Sequence, residues 1–326
     1  MGEIRNVLVT GATGFLGRRI TARLLSAGYE LTALVLPSER LDDRGRMRVV
    51  RGDIVRPESL NGHFRDHHAV VHLAGAVGYG QNFERCYALN RDGTANVAAA
   101  AAAAGARRFL HMSSVSVYGR VTGVPLDEDS PLLKIGDPYG DTKIDAESVV
   151  ADFAGRGLLD TTIFRPTVIY GPGDDKFLPR LVENLRSGKA RVVGKGDNRV
   201  DLVHVDDVAD LLVAALREPR SIGRVYNVAH PGNPTWGEFL PQVAALLGVQ
   251  PPTTRLPYPV AYAAAWALEV AARVRGHTPR LTRYAVRVVG KAYDYPVARA
   301  QRELGFDPKV ELMRGIAECL GHDSCK

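Results

Sequence analysis

The sequence predicts an α/β fold with a doubly wound parallel sheet and a smaller, mostly helical C-terminal lobe, and three observations predict it. Short β-branched segments alternate with longer helical patterns through the first half of the chain, and glycines mark the turns between them. Strands separated by helices in this way run parallel and are covered on both faces. From about residue 170 the alternation stops, prolines cluster between residues 231 and 259, and the remaining segments look helical.

The elements of the first half follow from its apolar segments. Strands are predicted at residues 6–10, 31–36, 48–51, 69–73, 109–113 and 161–165. Helices are predicted at residues 18–27 and 94–104, where Gly28 and Gly105 end them.

The second half gives a helix at residues 177–187, a short strand at 201–204 and a helix at 206–216. We expect a cofactor-binding domain and a substrate-binding lobe, each built from two pieces of the chain. The first comprises residues 1–170 and 198–229, and the second comprises residues 171–197 and 230–326.

The composition is that of an ordinary globular enzyme. The 326 residues carry a net charge of +6, with 45% hydrophobic and 24% charged residues. Basic residues occur in scattered pairs without interleaved aromatics, so we expect no nucleic-acid partner, and the charge favours attraction of an anionic cofactor. Three cysteines are too few for a disulfide framework, which favours the cytoplasm. No signal peptide is evident, and the apolar stretch 260–268 is about half of the roughly 20 residues that span a bilayer.

A glycine-rich turn, TGATGFLG at residues 10–17, joins the first strand to the first helix. Such glycines permit a tight turn and let backbone amides approach a pyrophosphate at the helix N-terminus. The spacing differs by one residue from the common dinucleotide fingerprint, but the position is typical of a Rossmann-type dinucleotide site. The predicted contacts in this turn are Gly11, Thr13, Gly14, Phe15, Leu16 and Gly17.

The end of the second strand leaves the choice between NAD and NADP open. An acidic residue there would bind the ribose 2′-hydroxyl, but Leu36 takes the place. Ser38 and Arg40 would hold a 2′-phosphate, whereas Glu39 would accept from a free hydroxyl. Ser38 and Arg40 together slightly favour NADP over NAD.

A carboxylate also follows the third strand. Asp53, with Ile54 after it, is placed to accept from the adenine amino group. The alternative role of Asp53 is to cap a loop or a helix.

Tyr139 and Lys143 are the candidate proton-transfer pair. They open a predicted helix and share one face of it, because residues four apart do so. A free phenol has a pKa of roughly 10. A neighbouring ammonium, helped by a positive cofactor ring, is expected to bring that pKa toward neutrality. Ser114, just after the fifth strand at the edge where such sheets bind ligands, would polarise a substrate carbonyl.

These motifs resemble the extended short-chain dehydrogenases/reductases (the NAD-dependent epimerase/dehydratase superfamily) over nearly the whole chain. In chain order they are GATGFLG at 11–17, VHLAG at 71–75, Asn90, SSVSVYG at 113–119, YGDTK at 139–143, FRPTVIYGPGD at 164–174 and VHVDDVAD at 203–210. The resemblance implies an NAD(P)-dependent oxidoreductase.

The resemblance also assigns roles. It implies that Ser114 is the catalytic serine, Tyr139 the acid/base and Lys143 its activator, while Asn90 assists a proton-relay water. Further cofactor contacts are implied at Leu73, Ala74, Gly75, Ser113, Tyr139, Lys143, Pro166 and Val168. His72 would line the cofactor, and no metal site is predicted because no second ligand stands at metal spacing beside it.

Two positions bear on the substrate. Nucleotide-sugar enzymes of this group usually carry asparagine where this chain has Val168, and arginine where it has Val200. Apolar residues at both places favour an apolar substrate. A 3-hydroxy or 3-keto substrate such as a sterol, β-keto acid or polyketide-like molecule is therefore the first hypothesis, and a nucleotide-sugar epimerase, dehydratase or reductase is the alternative.

The C-terminal part resembles the 3β-hydroxysteroid dehydrogenase-like branch. Residues 258–274 are largely apolar, with Glu269 as the one acidic residue. They predict a core helix, a wall of an apolar pocket or a peripheral membrane contact. Because members of the family often pair through two helices, a homodimer is expected.

Overall fold

The computed structural model describes residues 4–41, 45–77, 82–119, 121–275 and 281–321. Cys325, one of the three cysteines, lies outside these ranges. The strands are β1 (Asn6–Thr10), β2 (Glu30–Val35), β3 (Arg48–Arg51), β4 (Ala69–His72), β5 (Arg108–Met112), β6 (Asp160–Pro166), β7 (Val168–Tyr170), β8 (Val192–Val193), β9 (Leu202–His204), β10 (Arg224–Val228) and β11 (Arg255–Leu256).

The helices surround these strands. They are α1 (Phe15–Ser26), α2 (Phe83–Cys86), α3 (Gly93–Ala103), α4 (Pro138–Gly155), α5 (Phe177–Arg186), α6 (Val205–Arg217), α7 (Trp236–Leu246), α8 (Tyr258–Arg275), α9 (Arg283–Gly290), α10 (Ala298–Leu304) and α11 (Leu312–Gly321). A π-helical segment, Tyr87–Asp92, joins α2 to α3.

Seven strands form one parallel sheet in the order β10-β6-β5-β4-β1-β2-β3. This confirms the predicted fold class. The chain builds outward from β1 to β3, then crosses to β4 on the other side of β1. That reversal opens a crevice at the carboxyl ends of β1 and β4, where sheets of this kind bind their ligands.

The six strands predicted in the first half of the chain all lie in this sheet, but β10 was not predicted. This strand contains Asn227, a poor strand former. The Asn227 side chain is fully buried, and its burial is tolerated because it accepts from the Tyr118 hydroxyl (2.7 Å) and donates to the Leu126 carbonyl (2.8 Å). Such long-range bonds leave no trace in the local sequence pattern.

The predicted strand at 201–204 exists but lies outside the main sheet. β9 pairs with β7 in a separate parallel two-stranded sheet, in which Val168 is opposite Leu202. This small sheet leads from the end of β6 into the C-terminal lobe.

Apolar layers cover both faces of the main sheet. One face packs against α1 and α6, and the other packs against α3 and α4. The nearly pure alanine helix α3 therefore does pack closely on the sheet, as its small side chains predict.

The C-terminal lobe has its own apolar cluster. α5, α7 and α11 supply most of it, and Val200 is only 1% exposed within it. The apolar character of Val200 is therefore explained by packing in this core, and its use as a sign of an apolar substrate was wrong. None of the helices in the described ranges combines the length and apolarity that crossing a bilayer requires.

Candidate active site

The glycine-rich turn is held by close backbone contacts. Gly11 has φ of +69°, and a methyl group added there would lie 2.8 Å from the Ala74 nitrogen. A methyl group on Gly17 would lie 2.0 Å from the Gly11 oxygen. Both positions therefore require glycine.

The same turn leaves the start of α1 open. Gly14 is the N-cap, and within the described residues neither a capping side chain nor a first-turn acid occupies the backbone N–H groups that follow it. Free N–H groups at the positive end of a helix bind anions such as a pyrophosphate. This part of the chain fits a dinucleotide cofactor.

Thr10 ties the end of β4 to this turn. Its hydroxyl accepts from the N–H groups of Leu73 and Ala74 and is bonded to His72 Nδ1 at 2.8 Å. The other ring nitrogen of His72 is bonded to Thr94 at 3.0 Å. Burial lowers the pKa of His72 to about 3, so the ring is neutral and serves to fix the predicted contacts Leu73 and Ala74.

Asn90 is turned inward by the π-helical segment. Its side-chain oxygen accepts from Ala76 N–H at 2.8 Å, and its amide donates to Thr142 Oγ1 at 3.1 Å. A methyl group on Gly75 would lie 2.7 Å from the Asn90 oxygen and 3.5 Å from Lys143 Nζ. Two predicted catalytic residues thus meet beside Gly75.

Replacing Gly75 with alanine is therefore expected to displace the Asn90 side chain, because its oxygen would lie only 2.7 Å from the new methyl group, and so to disturb the site next to Lys143. Misplacing catalytic groups by about an ångström costs on the order of 10²-fold in rate. We expect kcat/KM to fall by roughly that factor, measured as NADPH-linked turnover. Gly155→Ala is the control, because a methyl group there meets nothing within 4 Å. Equal activity of the two variants would contradict the placement of Asn90 and Lys143.

Ser114, Tyr139 and Lys143 converge at the carboxyl end of β5. Ser114 accepts from Ser116 N–H at 3.2 Å, and its side chain is hydrogen-bonded to Tyr139 in the first turn of α4. Lys143 is 4% exposed and donates to the Met112 carbonyl at 2.9 Å. The structure thus brings together the three residues that the sequence proposed for chemistry.

The electrostatics of the pair differ from the expectation. Burial raises the pKa of Tyr139 to about 12, and the hydrogen bond to Ser114 opposes this only in part. Burial also lowers the pKa of Lys143 to about 8, although the Glu147 carboxylate acts to raise it. The sequence predicted a lowered tyrosine pKa, but desolvation of the phenolate outweighs the neighbouring groups.

A buried polar network, which was not predicted from the sequence, lies behind these residues. Glu147, one turn after Lys143, forms a double hydrogen bond with Arg165 at 2.6 and 3.0 Å. Arg165 also donates to the Tyr118 hydroxyl at 2.9 Å. Both charged side chains are about 5% exposed. The spacing of 139, 143 and 147 on one helix face was a signal that would have found Glu147.

Ser113 belongs to this network. Its hydroxyl donates to Glu147, and its N–H donates to the Phe164 carbonyl at 2.7 Å. Both donors of Ser113 are therefore committed within the protein, which leaves its carbonyl and the lone pairs of its hydroxyl as acceptors for the cofactor contact that the resemblance implied.

The loop after β2 forms the candidate site for the adenosine end. Leu36, Ser38 and Arg40 are exposed. Glu39 instead accepts from Leu36 N–H at 3.1 Å, so its carboxylate holds the loop. Arg51, which the sequence analysis did not single out, donates to the carbonyls of this loop, the shortest bond being 2.9 Å.

Asp53 and Ile54 follow at the end of β3. One carboxylate oxygen of Asp53 accepts from Val55 N–H at 3.0 Å, which is the capping role that the sequence gave as its alternative. Ile54 is buried beneath α3, where a methyl group on Gly93 would touch it.

Pro166 and Val168 stand where β6 passes into β7. Pro166 is buried, whereas Val168 is half-buried and donates its N–H to the Asp201 carbonyl at 3.1 Å. Burial, together with the charge of Asp294, raises the pKa of Asp201 to about 7. An acidic residue that is about half protonated at neutral pH is thus bonded through its backbone carbonyl to Val168, and its side chain was not among the predicted site residues.

Comparison with known proteins identifies the family of this chain. Residues 7–229 match the model of the NAD dependent epimerase/dehydratase family. A 2-alkyl-3-oxoalkanoate reductase of Stenotrophomonas maltophilia is 30% identical over 95% of this chain and 97% of its own length. A decarboxylating sterol-4-alpha-carboxylate 3-dehydrogenase of Mus musculus is 28% identical over 97% of this chain and 90% of its own length.

A solved structure is also similar. MoeE5 in complex with UDP-glucuronic acid and NAD superposes with a TM-score of 0.76 at 28% identity, covering 97% of this chain and 98% of its own.

The chain belongs to the NAD dependent epimerase/dehydratase family, because the family model covers more than half of it. Within that family it is an extended short-chain dehydrogenase/reductase of the 3β-hydroxysteroid dehydrogenase-like branch, and an NAD(P)-dependent enzyme. This confirms the family that the sequence motifs indicated.

Proposed function

We propose that the protein interconverts a secondary alcohol and a ketone, as a 3-hydroxy/3-keto oxidoreductase, on a bulky apolar substrate such as a sterol, a β-keto acid or a polyketide-like molecule. The observation that carries the proposal is the hydrogen bond between Ser114 and Tyr139, with Lys143 buried on the same helix face. Two hydroxyl groups that meet at one point can bind one substrate oxygen together.

The bound NAD(P) cofactor supplies or accepts the hydride. During reduction, Ser114 and Tyr139 hold the substrate oxygen, and the Tyr139 hydroxyl gives it a proton as the carbonyl carbon is reduced. Lys143, fixed by the Met112 carbonyl, stabilises the phenolate that remains. Asn90 and Lys143, which meet beside Gly75, mark the route by which Tyr139 regains a proton from water.

The raised pKa of Tyr139 keeps its hydroxyl in the protonated form that ketone reduction requires. With a pKa of about 12, the hydroxyl is protonated at neutral pH and is ready to donate. Alcohol oxidation needs the phenolate instead, which the positive ring of an oxidised cofactor would help to form.

An apolar substrate is supported by Val168 and by the relatives. Val168 is half-buried where nucleotide-sugar enzymes usually carry asparagine. The names of the relatives refer to 3-oxoalkanoates and sterols, which are bulky and apolar. The test is NADPH consumption with β-keto acids, 3-ketosteroids and flavanones. No turnover of any of them would overturn the proposal.

A second candidate is a nucleotide-sugar epimerase, dehydratase or reductase. It is favoured by the similarity to MoeE5, whose complex holds UDP-glucuronic acid. Specific thermal stabilisation by UDP- or GDP-sugars, without stabilisation by apolar ketones, would support this candidate over the first.

We propose that NADP is preferred over NAD. Glu39, which would bind a ribose hydroxyl, is already bonded to Leu36 N–H, whereas Arg40 is exposed and Arg51 adds a positive charge to the same loop. Both favour a 2′-phosphate.

Arg40→Ala is therefore expected to raise the KM for NADPH by about tenfold, since a charge-assisted hydrogen bond contributes about 1.5–3 kcal/mol. The KM for NADH should stay nearly unchanged, because NADH has no 2′-phosphate. Steady-state kinetics with both cofactors measure this, and Arg56→Ala, another exposed arginine, is the control. Equal losses with both cofactors would argue against a 2′-phosphate site.

A further inference from the structure

Helix α8 leaves one broad apolar face outside the core. Ala261 and Ala265 of α8 pack against Val286 of α9. This contact covers only a narrow strip of α8. The opposite strip, here called the α8 face, consists of exposed apolar residues at helical spacing. They are Val260, Ala263, Trp266, Ala267 and Val270.

The size and identity of these side chains distinguish the α8 face from scattered surface residues. Trp266 is 54% exposed and Val260 is 52% exposed. The other tryptophan of the chain, Trp236, is only 5% exposed. Tryptophan on a contiguous exposed apolar patch is typical of surfaces that meet a partner or the interface of a membrane.

Along the sequence, the net positive charge is concentrated in the segment that contains this helix. Residues 255–291 contain seven basic residues and one acidic residue, a net charge of +6, which equals the net charge of the whole chain. The remaining residues are therefore neutral in sum. The single acidic residue, Glu269, is paired with Arg283 of α9 at 2.6 Å. Lys291 lies 4.4 Å above the ring of Tyr258, where α8 begins.

We propose that the α8 face docks the protein on an anionic lipid bilayer. The apolar strip would enter the boundary between headgroups and acyl chains, and the net positive charge of residues 255–291 would attract the segment to the lipid phosphates. A second copy of this chain is a poorer occupant, because pairing through this face would bring two segments of +6 together. This surface does not depend on the oxidoreductase chemistry proposed above.

Tryptophan fluorescence tests the proposal directly. Trp236→Phe leaves Trp266 as the only tryptophan. With vesicles of phosphatidylglycerol and phosphatidylcholine, we expect its emission to shift to the blue and to be quenched by lipids brominated on the acyl chains. Added salt should weaken binding, and vesicles of phosphatidylcholine alone should bind far less.

Val270→Glu is the variant of the α8 face, and Leu246→Glu on α7 is its matched control, since the two side chains are 45% and 49% exposed. Co-sedimentation should show at least about a tenfold loss of vesicle binding for Val270→Glu only. Equal effects of the two variants, or no binding of the parent protein to anionic vesicles, would overturn the proposal. So would a blue shift that appears without vesicles and grows with protein concentration, because it would assign the α8 face to a second copy. Turnover of a water-soluble β-keto ester is measured in parallel, so that a failure of the proposed chemistry shows separately.

Discussion

Replacing Tyr139 with phenylalanine is expected to lower kcat/KM for ketone reduction by about 10²–10⁴-fold, the usual contribution of a general acid. The change removes only the hydroxyl that bonds to Ser114 and leaves the ring in place. Cofactor affinity, measured by NADPH fluorescence, should change little, because the glycine-rich turn and the loop after β2 are untouched.

Tyr29→Phe is the matched control for this variant. Tyr29 is buried next to the amino end of β2, away from the strand ends that carry the candidate site, and its hydroxyl accepts from Arg217, the last residue of α6. Its loss should leave kcat/KM near that of the parent. If Tyr139→Phe kept most of its activity, Tyr139 would not be the proton donor, and the protein would have to use another acid.

Replacing Glu147 with glutamine is expected to lower the free energy of unfolding by about 3–5 kcal/mol, because it leaves the buried Arg165 guanidinium without its counter-charge. Denaturant unfolding measures this change. Glu183→Gln on the exposed surface of α5 is the control and should shift stability by less than about 0.5 kcal/mol.

The same variant has a predicted effect on pH dependence. Lys143 titrates with a pKa of about 8, and the Glu147 charge acts to raise that value. Without this charge the pKa of Lys143 falls, so the ammonium loses its proton at lower pH. The reductive rate, which needs the ammonium beside Tyr139, should therefore decline at a lower pH than in the parent. An unchanged pH profile would show that Glu147 acts on stability alone.

The fold was predictable from the sequence because its first half alternates clearly between two periodicities. The strands from β1 to β6, except the more exposed β3, are largely buried segments bounded by turn residues, so the pattern alone indicates them. β10 was not predictable in this way. Its position in the sheet depends on partners of Asn227 that lie far away in the chain.

The candidate site, like the fold, was only partly predictable from the sequence. Ser114, Tyr139 and Lys143 could be placed together because strand ends and helix faces obey simple geometry. The direction of the Val200 side chain could not be predicted, because a single residue between short strands has no periodicity that would fix it. The raised pKa of Tyr139 was also out of reach, because it depends on how much water the surrounding fold excludes.

The buried polar network behind the site bears on when a growing chain can first carry out the reaction. Ser113 precedes Ser114, Arg165 precedes Pro166, and both are fixed through Glu147. The network ends on Asn227 in β10, a strand that is synthesised well after the residues of the site. A nascent chain that has only reached α4 thus holds Tyr139 and Lys143 without Arg165 and Asn227, which complete the network. We therefore expect chemistry only once β10 has joined the sheet, so that partly made chains would hold their cofactor-binding turn before they could react.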